Sequence, residues 1–109
     1  MRRHQFLAAA LAEYEDAAVY YELQEPGLGA RFLLEVDEAI ALTLEFPAAG
    51  TVVEGTPPEL AIRRRLLNRF PVQLAYCLHG ERVVILAVFH SARRPGYWLD
   101  RLTELGHRR

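Results

Sequence analysis

The sequence predicts an α+β fold in the order β-α-α-β-β-β, with an N-terminal helical hairpin packed on a small, mostly antiparallel sheet. Three observations carry this reading. Between Leu7 and Leu44 apolar residues recur at spacings of three and four, the period of a helix that buries one face. From Ile62 onward the apolar pattern becomes that of extended strands. The stretch between them, PAAGTVVEGTPPE from Pro47 to Glu59, is rich in proline, glycine and small residues, as expected of a surface connection rather than a regular element.

Each element follows in turn. Arg2 to Phe6 has the length of a single edge or joining strand. Leu7, Leu11, Tyr14, Ala18 and Tyr21 then form one helical stripe, with Glu13, Glu15, Asp16 and Glu22 falling largely outside it. Pro26-Gly27-Leu28-Gly29 supplies a turn, since proline cannot continue a helix and glycine accepts positive φ. Phe32, Leu33, Val36, Ile40 and Leu44 form the stripe of a second helix, with Glu35, Asp37 and Glu38 left for solvent, and Phe46-Pro47 stops it. Ile62–Arg69, Val72–His79 and Arg82–His90 read as three consecutive strands, the last two joined by a tight turn around His79-Gly80-Glu81. Val72, Leu74, Tyr76 and Leu78 alternate on one face of the middle strand. The next strand carries VVILAVF, apolar on both faces, which suits a central position covered above and below.

At 109 residues the chain is expected to form a single domain over 1–109. It is 51% apolar and 25% charged, the composition of a globular protein. No apolar run reaches the roughly 20 residues that span a bilayer, and Met1-Arg2-Arg3-His4 is not followed by a signal-type segment. A cytoplasmic protein without a membrane partner is expected. Cys77 is the only cysteine, so no internal disulfide and no cysteine metal site can form, and neither metal nor cofactor is expected. Charge divides sharply along the chain. Residues 1–60 hold three arginines against eleven acids, whereas residues 61–109 hold ten arginines against Glu81, Asp100 and Glu104. There is no lysine, so every fixed cation is a planar guanidinium, suited to bidentate contact with carboxylate or phosphate.

The motifs, in their order, carry a family resemblance. AEYEDAAVYYELQEPGLGARFLLEVDEAI, then EFPAAG, then RRRLLNRFP, a strand pair, and finally AVFHSARRPGYW resemble the ParE branch of the RelE/ParE superfamily of toxins from bacterial type II toxin-antitoxin systems. The specificity lies in the combination of a paired-tyrosine helix, a PGLG turn, two FP stops and H-x-x-R-x-P-x-Y-W. Where the family has a fuller first strand ending in proline, this chain has RRHQFLAAA. The resemblance implies a helical hairpin on a small sheet, a cognate antitoxin of the ParD kind or similar, a toxin-antitoxin hetero-oligomer, and DNA gyrase as target. The alternative within the superfamily is a RelE-like, metal-independent endoribonuclease that cuts messenger RNA on the ribosome.

These two activities ask different things of the basic half. RNA cleavage requires a base, an acid and cations aimed at the charge developing on phosphate, and the candidate set is Arg64, His90, Arg93 and Tyr97. The net charge of −1 and the lack of a convincing base favour the gyrase reading, for which Arg63, Arg65, Arg93, Arg94, Tyr97 and Trp98 are the candidate target contacts. Tyr14, Tyr20 and Phe32 are the candidate antitoxin contacts. Structural readings stand beside these. Arg63 to Arg65 are equally suited to ion pairing with hairpin acids or to solvation. His90 suits a hydrogen-bonded anchor of the last loop, Trp98 and Tyr97 suit the edge of the core, and Tyr21 lies on the core stripe while Tyr20 is freer to meet a partner.

Overall fold

In the computed structural model, which describes residues 3–106, the hairpin forms as the periodicity predicts. Helix α1 spans Ala8–Gln24 and helix α2 spans Leu28–Glu45. Gly27 takes φ 90° at the start of α2, a left-handed conformation that glycine adopts without steric cost. The Glu22 carboxylate accepts the N–H groups of Gly27, at 3.0 and 3.1 Å, and of Gly29, at 3.0 Å. It thereby satisfies amides at the N-terminus of α2, where negative charge is favoured. The two helices approach so closely here that a Cβ on Gly29 would lie 2.6 Å from the Ala18 carbonyl oxygen.

Helix α2 buries Phe32, Val36 and Ile40, with Leu33 and Leu44 partly covered. The stripe on α1 differs from expectation. Its buried residue is Ala10, backed by half-buried Tyr14, Ala17, Ala18 and Tyr21, whereas Leu11 is 41% exposed. Alanines at the contact let α1 lie close to its neighbours, and the facing edge of the stripe is taken by Glu13 instead of Leu11. Tyr21, Phe32 and Phe70 close one end of the core with ring centroids 4.8–5.3 Å apart.

The sheet has five strands in the order β1-β5-β4-β3-β2, namely Arg3–Phe6 (β1), Thr51–Val52 (β2), Arg63–Leu66 (β3), Val72–His79 (β4) and Arg82–His90 (β5). Strand β1 runs parallel to β5, and every other pairing is antiparallel. The expected first strand is thus present from Arg3, with Arg2 outside the described residues. Strand β5 is central, and Val83 to Val88 are all buried. Three features depart from the sequence reading. The connection after α2 is not wholly irregular, because Thr51 and Val52 add a two-residue edge to β3. Strand β3 ends at Leu66 rather than Arg69, because Leu67 N–H bonds the Val72 carbonyl and closes a turn over the intervening residues. A 3₁₀ helix, Leu99–Leu105, follows the last strand and packs Leu102 and the preceding Trp98 into the core.

Tyr76 and Thr43 bring polar atoms into this interior with partners. The Tyr76 hydroxyl donates to the Pro47 carbonyl at 2.8 Å and accepts Gly50 N–H at 3.1 Å, fixing the exit from α2. No described helix is long and apolar enough to cross a membrane. Substituting Gly29→Ala is expected to destabilise the chain by about 1–3 kcal/mol through overpacking. Gly27→Ala should cost about 1–2 kcal/mol through its left-handed backbone, both read as shifts in the urea midpoint.

Candidate functional site

Strand alternation divides the arginine triplet between two faces of the sheet. Arg63 lies opposite Tyr76 and Arg65 opposite Leu74, while Arg64 lies opposite Ala75. On the hairpin side, Arg65 Nε donates to the Thr43 hydroxyl on α2 at 3.0 Å, and Arg63 Nη1 donates to the Gly50 carbonyl at 2.7 Å. On the side away from the hairpin, Arg64 Nη1 donates to Gln73 Oε1 at 3.3 Å. None of the three pairs with a carboxylate among the described residues. Arg65 instead ties β3 to the end of α2, and Arg63 ties it to the segment that follows α2.

Arg64 faces a cleft of about 360 Å³ between β2 and the loop that follows β5. Gln73 and Phe89, directly opposed on β4 and β5, line its floor. Val52, Ser91, Arg93 and Trp98 line its sides, and Glu54 contributes the one carboxylate among the described lining residues. The cleft therefore gathers Arg64 and Arg93 from sequence positions far apart.

The loop from His90 to Trp98 is built to present Arg93. His90 Nδ1 accepts Ala92 N–H at 3.0 Å and the His90 carbonyl accepts Arg93 N–H at 2.9 Å, turning the chain tightly off the strand. The Arg93 guanidinium then lies 3.8 Å from the centroid of the Tyr97 ring, an attraction of about 0.5–1 kcal/mol at an exposed site. Arg94 is exposed and forms no ion pair among the described residues. Tyr97 is half-buried, edge-on to Phe89.

Behind Tyr97 stands a group the sequence did not single out. Glu13, placed by its spacing largely outside the apolar stripe of α1, accepts the Tyr97 hydroxyl, two hydrogen bonds from Arg101 at 2.7 and 3.0 Å, and Val88 N–H at 3.0 Å. The Glu13–Arg101 pair is the only salt bridge among the described residues. Burial works against ionising Glu13, but the bonds from Arg101, Tyr97 and Val88 outweigh it and hold the carboxyl below its usual range. Burial first, and then the Glu13 carboxylate, push the Tyr97 phenol well above its ordinary value. At neutral pH Tyr97 is a donor and not a base. The signal for Glu13 was its place beside Ala10 and Ala17 on one helical face, where small neighbours mark a close approach.

The remaining candidates are placed as follows. Trp98 is 2% exposed: it packs the core while lining one wall of the cleft. Phe32 is fully buried and cannot meet an antitoxin in the folded chain. Tyr14 is half-buried and donates to Asp37 on α2 at 3.0 Å; burial and that carboxylate push its phenol up to about 12. Tyr20 is 58% exposed beside Val19 and Leu23 on the outer face of α1. Of the nuclease set, Arg64 and Arg93 line the cleft, Tyr97 lies behind Arg93, and His90 lines a separate groove with Tyr20, Val72 and Val88.

Folding lowers the Glu13 pKa, so its contribution to stability is complete above the unfolded value near 4.5 and is lost as the pH falls through the lower folded value. Glu13→Gln is expected to cost about 1.5–3 kcal/mol at pH 7. The variant should also lack the wild-type loss of stability on acidification that this group causes. Urea titrations of both proteins across acid pH measure the difference.

Comparison with known proteins agrees with this architecture. No curated protein matches the sequence. A chain of the solved structure "Chromosomal ParDE TA system from P. aeruginosa" superimposes with a TM-score of 0.68 at 16% identity, covering 83% of this chain and 96% of that one. At that identity the likeness concerns the fold. The sequence profile described as "ParE toxin of type II toxin-antitoxin system, parDE" matches residues 5–95, from the parallel edge strand to the Arg93-bearing loop, and the chain accordingly belongs to the ParE toxin family.

Proposed function

We propose that this protein is the toxin of a type II toxin-antitoxin pair, that it acts by inhibiting DNA gyrase, and that a cognate antitoxin neutralises it in a hetero-oligomer. Family membership supports the toxin role. The observation that carries the choice of target is the composition of the cleft: Arg64 and Arg93 face it, while His90 and Tyr97, the two groups that would move protons in RNA cleavage, lie outside it. Cations alone can hold an anionic surface of a large enzyme; cleavage of RNA also needs proton transfer at the phosphate. The cleft arginines are target contacts in this reading, with Arg94 beside them, and Tyr97 is the support of Arg93. Arg63 and Arg65 serve the fold.

The antitoxin is assigned to the hairpin. Val19, Tyr20 and Leu23 are 60%, 58% and 81% exposed on α1, and a groove of about 260 Å³ with an apolar lining that includes Ala17, Val72 and Phe89 opens beside Tyr20. An amphipathic segment of the antitoxin covering these side chains would remove them from water.

Purified toxin is expected to block supercoiling by gyrase. The double variant Arg64→Ala with Arg93→Ala should raise the inhibitory concentration at least about tenfold, the loss expected when hydrogen bonds to charged groups are removed. Cleavage of messenger RNA on translating ribosomes, with gyrase unaffected, would sink this function. Tyr20→Asp with Leu23→Asp should weaken antitoxin binding, measured by calorimetry with the peptide encoded beside the toxin, while leaving gyrase inhibition intact.

A further inference from the structure

We infer that the cleft between β2 and the His90–Trp98 loop is a binding site for single-stranded DNA, taking one nucleotide at a time and holding its phosphate between Arg64 and Arg93 without cutting it. The inference deepens the gyrase reading, on which it rests for its biological setting: gyrase opens DNA, and a toxin able to grip an exposed strand would hold it in that state.

Four observations converge on this ligand. The two guanidiniums line one cleft from different elements, Arg64 from β3 and Arg93 from the loop, and neither is neutralised by an ion pair among the described residues. Both are oriented before any ligand arrives, Arg64 by Gln73 Oε1 and Arg93 by the face of Tyr97, which limits the ordering that binding would require. A planar fork with several donors matches the oxygens of a phosphodiester. The floor adds the half-buried ring of Phe89, which offers an apolar surface to a base, and the Gln73 amide and Ser91 hydroxyl, which offer hydrogen bonds to its edge. At about 360 Å³ the space lies at the small end of ligand sites, roughly 300–1,000 Å³. That admits a single unstacked nucleotide and excludes a duplex. Glu54 also lines the cleft and disfavours a phosphate wherever the two come close.

An acidic side chain of a protein target would use the same guanidiniums. It would leave the Phe89 ring and the amide and hydroxyl of the floor without a role, which is why a nucleotide is preferred. RNA shares the phosphate chemistry, and the test separates it.

The experiment measures fluorescence anisotropy of a labelled twelve-residue oligothymidylate with the purified full chain, its duplex, and a matched oligouridylate. Binding of the single DNA strand is expected to exceed that of the duplex. It should weaken at least about tenfold in each of Arg64→Ala and Arg93→Ala, and remain within about twofold in Arg82→Ala, a control on the far end of β5. The salt dependence of log affinity should flatten by about 0.7 for each phosphate contact removed. Circular dichroism and urea midpoints equal to wild type would confirm that the variants are folded. Binding that ignores both arginines, or an oligouridylate bound more than tenfold tighter than DNA, overturns the inference. So does a wild-type chain that binds no strand while its gyrase inhibition still depends on Arg64 and Arg93, since the cleft would then hold a protein carboxylate. Arginine-dependent DNA binding without gyrase inhibition would leave the site in place and overturn the gyrase reading alone.

Discussion

Strand β5 needs a partner on each side, and the chain supplies one side only in part. Strand β1 pairs with it through Ile85, and Leu7 N–H adds one more bond to the Ile85 carbonyl. Beyond that point α1 turns away, while β5 continues to His90. Backbone groups of a buried central strand that find no partner cost free energy comparable to a lost hydrogen bond each. Arg101 donates to the Leu86 carbonyl at 3.0 Å and Glu13 accepts Val88 N–H, so an ion pair between two side chains completes the edge that β1 leaves open. The bulge at Leu86, where the register moves from Ala75↔Ala87 to Tyr76↔Ile85, lies at the same place and turns the strand toward these groups.

One carboxylate thereby links four parts of the molecule. Glu13 belongs to α1, accepts from β5, pairs with the C-terminal 3₁₀ helix and receives the hydroxyl of Tyr97, whose ring lies beneath Arg93. The position of the cleft arginine is consequently set by the docking of the hairpin on the sheet. A partner that pulls α1 outward would disturb Arg93 through Glu13 and Tyr97, so the surface assigned to the antitoxin and the surface assigned to the target are mechanically connected. The separation of charge along the chain becomes, in three dimensions, a division of labour among arginines. Arg65 braces the end of α2 and Arg63 the segment after it, Arg101 braces the edge of β5, and Arg64, Arg93 and Arg94 form no ion pair among the described residues.

Periodicity made the hairpin, the two long strands and the central place of β5 legible, because each buries a continuous face that the sequence must encode. Tyr20 was legible as a surface group for the same reason, since it falls off the stripe that carries Tyr21. Other features depend on contacts between distant segments. Thr51 and Val52 are a strand only because β3 offers them an edge, and the parallel register of Arg3–Phe6 on Arg82–Ile85 is set by β5. The 3₁₀ helix after Trp98 has no period to reveal it; Trp98 and Leu102 hold it by packing. Glu13 was misplaced because an acid beside a helical stripe resembles solvent-facing charge, and its partners Arg101 and Tyr97 lie more than eighty residues away. The grouping of Arg64 with Arg93, rather than of Arg63 and Arg65 with them, follows from a register that no local pattern fixes.

Amide hydrogen exchange at Val88 tests most directly whether the Glu13 carboxylate serves as the missing edge of β5. The account predicts that this amide is protected in the wild type and becomes fast in Glu13→Ala, while Val83 and Ile85 elsewhere on the strand keep their protection. Equal protection of Val88 in both proteins, or fast exchange there in the wild type, would contradict it.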